Sequence, residues 1–406
     1  MSTAAGCPAL RCSANKASPV SGRSGSSNKS SATLAWRLGA GACGDEASSP
    51  ACGDVAGRDQ GSVPRSGSVC GSGGMAASLA NGGSAQPCGT SLLCGETDIF
   101  CGGGAAAAAA AAASPGQSPP PRGLDLEGMI RSHRRREAVL RPNPHYMEAQ
   151  ASAAAASGAP ADALTPQMRM IVASWMVEVA DEFSLQPETL HLAVALLDRF
   201  LAATVPQGVP RGVLQLVAVA CIMVAAKDLE VNHPTVEQLV AIAANCFSAQ
   251  DLLRMERVLL DALDFSVANH TAFSFLHLYA QGLAGLAPPV AALAVYLLEL
   301  VLLDYSLLEY PPSQLAAAAL LLAMHTHGCA AELAPRLLRL AGYAPGEVAR
   351  CVGCLLALHR NATWPANDSL RDLLAPLAGK YSQQSWCCAA LCPPLPALDA
   401  AWFAAR

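Results

Sequence analysis

The segment RGVLQLVAVACIMVAAK, residues 211–227, constrains this chain more than any other. It is apolar around its whole circumference, and a helix of that kind belongs at the centre of a helical bundle. Gln215 interrupts it and Lys227 ends it, so it falls short of the ~18 uncharged apolar residues that a bilayer crossing needs. The next apolar run, Val290 to Leu303, contains Glu299. No membrane segment is therefore expected, in spite of a mean hydropathy of +0.31. The opening residues MSTAAGCPAL lack the apolar stretch of a secretory signal, so the 16 cysteines read as reduced thiols and not as a disulfide framework.

Helices surround this segment. Thr165-Pro166 supplies an N-cap and a first-turn proline. After it Met168, Ile171, Val172, Trp175, Val179 and Phe183 recur at spacings of three and four. Pro187 opens the next helix, with Leu190, Val194, Leu197 and Leu201 on one face. Thr235 with Gln238 forms a capping box, and a fifth helix runs from Ser248 to Asp264. No useful period-two strand pattern is present. The scheme then repeats: LLDYSL at 302–307 echoes LLDRFL at 196–201, and QLAAAALLLA at 314–323 echoes QLVAVACIMV at 215–224. Further helices are expected at Leu333–Leu340 and Glu347–Leu358.

The expected fold is all-α: two tandem five-helix bundles preceded by a disordered N-terminal tail. The tail, 1–122, is rich in Gly, Ser, Ala and Pro and offers little apolar surface to offset chain entropy. A helical lead-in follows at 123–163, then the two units at 164–268 and 269–390 and a C-terminal tail at 391–406. Ser18, Ser49, Ser114 and Ser118 each precede proline, which suits proline-directed phosphorylation or a plain Pro-rich linker.

The stretches MRMIVASWMVEVADEFSLQPETLHLAVALLDRFL (168–201), QLVAVACIMVAAK (215–227) and LLRMERVLLDAL (252–263) resemble a cyclin box. Five recurring cyclin positions are matched by Arg169, Asp198, Leu216, Lys227 and Glu256. The residues themselves permit more than one reading. Arg169 and Asp198 lie on helices with apolar faces, which fits a structural ion pair, a direct contact role being the alternative. Lys227 ends the most apolar helix and Glu256 lies among leucines. On chemistry alone they are an ordinary solvated pair, or a pair able to cap backbone groups of a partner. The resemblance implies the second: Lys227 and Glu256 grip a cyclin-dependent kinase beside its mobile regulatory helix. It also implies an allosteric role without catalysis, and no cofactor or metal is expected. The chain contains no HRD or DFG, no GxxxxGK[ST] and no GxSxG.

A substrate-docking stripe is also implied, formed by Met168, Ile171, Val172 and Trp175 with Leu214 and Gln215 beside it and Glu178 to pair an arginine. Its ligands would be substrates or inhibitors with an Arg-x-Leu motif. Ile171 and Val172 fit the core equally well. Four positions depart from the family: Met170 replaces a small residue, Ser174 an acid, and Ala244-Asn245 an acidic pair.

Leu92, Cys94 and Glu96 form Leu-x-Cys-x-Glu, and SLLCGETD resembles the opening of plant-type D cyclins. In an extended peptide Leu92 and Cys94 point into one groove, which implies recruitment of a retinoblastoma-family protein. MRMI, PETLHLAV, RMERVLL and RPNPHYMEAQ (141–150) instead resemble A- and B-type members. No Arg from 11 to 136 has Leu three residues later, and Lys-Glu-Asn is absent from the tail. The handles of mitotic destruction are thus missing, which favours the D-type reading; the cyclin resemblance implies a nuclear and cytoplasmic protein.

Other signals are weaker. Cys351 and Cys354 read as buried thiols, having no second CxxC at zinc spacing. Arg131 with Arg134–Arg136 fits a solvated helix face or a nuclear-import sequence. Tandem five-helix units also occur in promoter-binding transcription factors, but a net charge of −5 without a zinc ribbon argues against nucleic acid. A scaffold that binds no kinase is the remaining alternative.

Overall fold

A computed structural model describes residues 125–398, apart from 157, 159–162 and 206. The tail with its proline-directed serines and the Leu92–Glu96 motif lies outside the described residues. Those residues contain helices and no strand. Two lead-in helices, α1 (Leu126–Leu140) and α2 (Tyr146–Ala156), come first. The first unit is α3 (Pro166–Glu182), α4 (Pro187–Ala203), α5 (Leu214–Leu229), α6 (Val236–Ile242) and α7 (Ala249–Ala262). The second is α8 (Ala272–Gly282), α9 (Pro288–Leu303), α10 (Pro312–Thr326), α11 (Ala330–Ala341) and α12 (Pro345–Thr363). A further helix, α13 (Asp368–Tyr381), follows.

Each unit is organised around its most apolar helix. The helix α5 packs against α3, α4, α6 and α7, and α10 packs against α8, α9, α11 and α12. Together with the 3-10 turn Arg211–Val213 before it, α5 is long and apolar enough to cross a bilayer. Here it is a core helix, buried from Leu214 to Ala226 except at half-buried Leu216. The caps form as their chemistry dictates: Thr165 Oγ1 accepts from Met168 N, and Thr235–Gln238 and Ser248–Asp251 close capping boxes.

Three expectations need correction. LLDYSL is not the counterpart of LLDRFL. The second helices of the two units start at Pro187 and Pro288, 101 residues apart, whereas the two hexapeptides lie 106 apart. LLDRFL sits inside α4, but α9 ends at Leu303 and Asp304 caps the next turn by accepting from Ser306 N. The basic cluster on α1 is more than a solvated face. Arg134 donates to Ala341 O at 3.0 Å and lies over the Tyr343 ring, fastening α1 to the second unit. The chain from 391 to 398 is not a free tail either, because Pro394 is buried and Arg360 donates to Leu395 O.

Candidate functional site

Two charged pairs mark the first unit, and their settings differ. Arg169 on α3 is 2% exposed and Asp198 on α4 is 3% exposed. The guanidinium forks onto the carboxylate, Nε to Oδ1 at 2.6 Å and Nη2 to Oδ2 at 2.7 Å. Its remaining Nη1 donates to Leu302 O on α9 at 2.9 Å, and Tyr146 Oη on α2 donates to Asp198 Oδ1 at 2.8 Å. Burial works against the charge on Arg169, and the adjacent Asp198 more than offsets it, holding the guanidinium above its ordinary range. Burial and then Asp198 push the Tyr146 phenol well up, so it remains a donor. This cluster joins α2, α3, α4 and α9, and Arg169, Asp198 and Leu302 also line a cavity with Glu137, Arg141 and His191. Tyr146 and Leu302 were not singled out by sequence, although Tyr146 lies within RPNPHYMEAQ.

Lys227 and Glu256 meet at the rim. The last turn of α5 suits a cation, since the helix dipole is negative there. The packing of α5 on α7 brings Lys227 Nζ to 2.6 Å from Glu256 Oε1, with side chains 39% and 16% exposed. Leu229 and Val231 follow Lys227, and Leu253 stands one turn before Glu256; all three are exposed. Of the nine large apolar side chains exposed among the described residues, five lie between 229 and 265, the others here being Val258 and Phe265. Apolar side chains gathered in one stretch beside a charged pair are what a protein-contact surface needs.

The proposed docking stripe is differently placed. Val172, Trp175 and Leu214 are at most 2% exposed, and Ile171 and Gln215 are 8% exposed. Only Met168 and Glu178 remain half-buried. The cause is that α3 has neighbours on several sides, α5, α9 and α13 among them. Ser174, which takes the place of the family's acid, donates Oγ to Leu373 O of α13 at 2.6 Å. The stripe is therefore assembled but closed. Two of its buried donors, Trp175 Nε1 and Gln215 Nε2, have no partner.

Among the described residues no group of three or more His, Cys, Asp or Glu is placed to hold a metal. Burial raises the Cys351 thiol above its ordinary value, and Cys354 Sγ lies 3.6 Å from Tyr310 Oη. Ala244 and Asn245 both adopt left-handed backbone at the end of α6.

The family models for the cyclin N-terminal domain and the cyclin C-terminal domain match residues 128–268 and 270–395. Cyclin-A1-2 of Arabidopsis thaliana is 37% identical over 63% of this chain and 55% of its own length. Cyclin-B2-2 of the same plant is 36% identical over 49% of this chain and 46% of its own. Cyclin-A1 of Xenopus laevis is 37% identical over 58% and 54%. The chain thus spans about half the length of these curated relatives. A viral cyclin from herpesvirus saimiri aligns over 54% of this chain and 89% of its own at 21% identity, with a TM-score of 0.41. With two five-helix units and the two cyclin domain models matching 128–268 and 270–395, the chain belongs to the cyclin family.

Proposed function

We propose that this chain is the regulatory subunit of a cyclin-dependent Ser/Thr kinase, which it binds and activates without chemistry of its own. The observation that carries this reading is the Lys227–Glu256 pair at 2.6 Å with Leu229, Val231 and Leu253 exposed around it. A kinase regulatory helix presents backbone groups at its ends and apolar side chains along its face. The ammonium and carboxylate suit the first, and the three apolar residues suit the second. Docking holds that helix where the kinase's own Lys–Glu ion pair forms, which is the step that switches such kinases on. The similarity to A- and B-type relatives supports an S-phase or mitotic timing.

The test is kinase activation by the full chain with candidate cyclin-dependent kinases. A Lys227→Ala/Glu256→Ala double variant should lose at least tenfold of the activation while keeping its thermal transition. A double variant that activates normally would falsify the contact role of this pair.

A second reading, a D-type role with recruitment of a retinoblastoma-family protein, is favoured by Leu92, Cys94 and Glu96. Triple alanine replacement there should abolish co-precipitation of a retinoblastoma pocket fragment; equal capture by both chains removes this reading. Docking of Arg-x-Leu segments requires the α3 stripe to open. The unpartnered Trp175 Nε1 and Gln215 Nε2 would then gain acceptors from the peptide backbone.

A further inference from the structure

We propose that Ser132 is a phosphorylation site, and that a phosphate there draws Arg136 away from the junction between the two cyclin units. The observations concern a single stretch of α1. Ser132 is exposed, with Arg131 before it and Arg134, Arg135 and Arg136 after it. No acid falls within one helical turn of it on either side. Basic residues on both flanks are the pattern that basic-directed Ser/Thr kinases read, because their substrate grooves are acidic. Only Leu126 and Ile130 tie the part of α1 before Ser132 to the core. Local opening of that end uncovers Ile130, which is 2% exposed, and presents Ser132 in an extended segment.

The next turn of α1 makes the helix's attachments. The His133 and His270 rings stack at 3.4 Å with 9° between their planes, and Phe275 meets His133 edge-on. Arg136 Nη2 donates to Ala268 O at 3.4 Å. Glu137 is 5% exposed and accepts from Ser313 N at the start of α10 at 2.9 Å. Residues 268–270 are the link between the two units, so the turn 133–137 clamps α1 to that link and to the second unit.

Helix spacing places Arg135 and Arg136 three and four residues beyond Ser132, on its face. The modifying kinase transfers the γ-phosphoryl group of ATP to Ser132 Oγ. The bond from the γ-phosphorus to its bridging oxygen breaks, ADP leaves, and the hydroxyl proton passes to that kinase's base. The product carries a charge of about −1.5 to −2 and three strong acceptors. Arg135 is free to pair with it. Arg136 exchanges one neutral carbonyl at 3.4 Å for a charge-assisted bond, the stronger of the two. The clamp then rests on the histidine stack, Arg134 and Glu137.

The full chain is incubated with Mg-ATP and the catalytic domain of a basic-directed Ser/Thr kinase. Phosphate is located by mass spectrometry and amide exchange is followed across 126–141. The expected result is phosphate on Ser132 and exchange at least tenfold faster over the turn 133–137. Arg136→Gln without phosphate should reproduce part of that increase, and Ser132→Ala should show neither the phosphate nor the increase. No phosphate at Ser132, when a peptide of residues 126–140 is modified in parallel, overturns the site. Phosphate at Ser132 with unchanged exchange overturns the release of Arg136.

Discussion

Arg169 and its partner Asp198 sit where α2, α3, α4 and α9 meet. The three donor groups of Arg169 reach Asp198 on α4 and Leu302 on α9, and Tyr146 on α2 completes the carboxylate. Removing one partner of such a pair leaves the other charge buried and unpaired, which costs about 3–5 kcal/mol. Asp198→Asn should therefore lower the urea-derived unfolding free energy by that order, while a paired Arg169→Met/Asp198→Leu replacement should recover much of it. Equal losses in both would mean that stranding Tyr146 Oη and Leu302 O costs as much as stranding the guanidinium. His191 gives a second residue-scale prediction. It is 2% exposed and stacks on Phe273, and burial, then Lys380, pushes its pKa down from 6.5 to about 3. The unfolded chain takes up its proton first as pH falls below the ordinary value, so the stability this histidine contributes near neutrality is lost progressively on the way down. Each unit of pH is worth about 1.4 kcal/mol for one such proton. His270 and His359, each held at about 4 chiefly by burial, act in the same direction. The contribution of His191 is thus the difference between wild type and His191→Phe, whose unfolding free energy should fall less steeply with acid. Identical slopes would assign the whole effect to the other histidines.

At the scale of elements, what could be read beforehand was whatever the chain announces locally. Thr165-Pro166, Thr235 with Gln238, and Ser248 all mark helix starts because a cap is a neighbour-to-neighbour interaction. The start of α4 was visible only through Pro187. Its capping group is Glu230, far along the chain, whose Oε1 accepts from Gln186 N at 2.7 Å and Thr189 Oγ1 at 2.6 Å. The helix α13 was missed outright. It has no counterpart in the first unit, Pro376 interrupts its pattern, and its stability comes from distant partners. Lys380 Nζ lies 2.6 Å from Glu299 Oε1, and Tyr381 Oη donates to the same oxygen. Glu299 looked like a charge that merely disqualified a membrane helix. In the fold it is fully buried and holds α13 against α9. The Arg169–Asp198 pair was legible because two charges on apolar helices need each other, whereas for Lys227 and Glu256 the family pattern supplies the two residues and not their mutual contact. The closure of the α3 stripe was not, since burial by α13 is a property of the assembled fold. Lys380→Met should cost about 3–5 kcal/mol by stranding the Glu299 carboxylate. Adding Glu299→Gln should restore part of that loss in the same denaturation experiment, and an absence of any restoration would mean that packing of the lysine stem carries the effect.

Among the described residues the first and last α-helices cross over between the units. The helix α1 precedes the first cyclin unit yet is fastened to the second, through Arg134 on Ala341 O and Glu137 on Ser313. The helix α13 follows the second unit yet lies on α3 of the first, with Ser174 bonded to Leu373 O. Between them Arg169 links α3 to α9 directly. Neither unit can then unfold without stripping contacts from the other, so the chain should melt in one transition even though it was built as two repeats. The same coupling fixes how the Lys227–Glu256 face is presented, because the helix behind it, α5, packs on α3, which α13 and α9 hold from the other side. A chain ending at residue 366 tests this. Without α13 the α3 face loses a cover, Glu299 loses both partners, and Trp175 becomes accessible to water. The expected result is a red-shifted tryptophan emission in the folded state and two resolved transitions, the first unit melting earlier. Kinase activation by the truncated chain should fall along with the first transition. A single transition at the wild-type temperature would mean that Arg169 and the α1 clamp suffice to make one cooperative body, and that α13 serves only to close the α3 stripe.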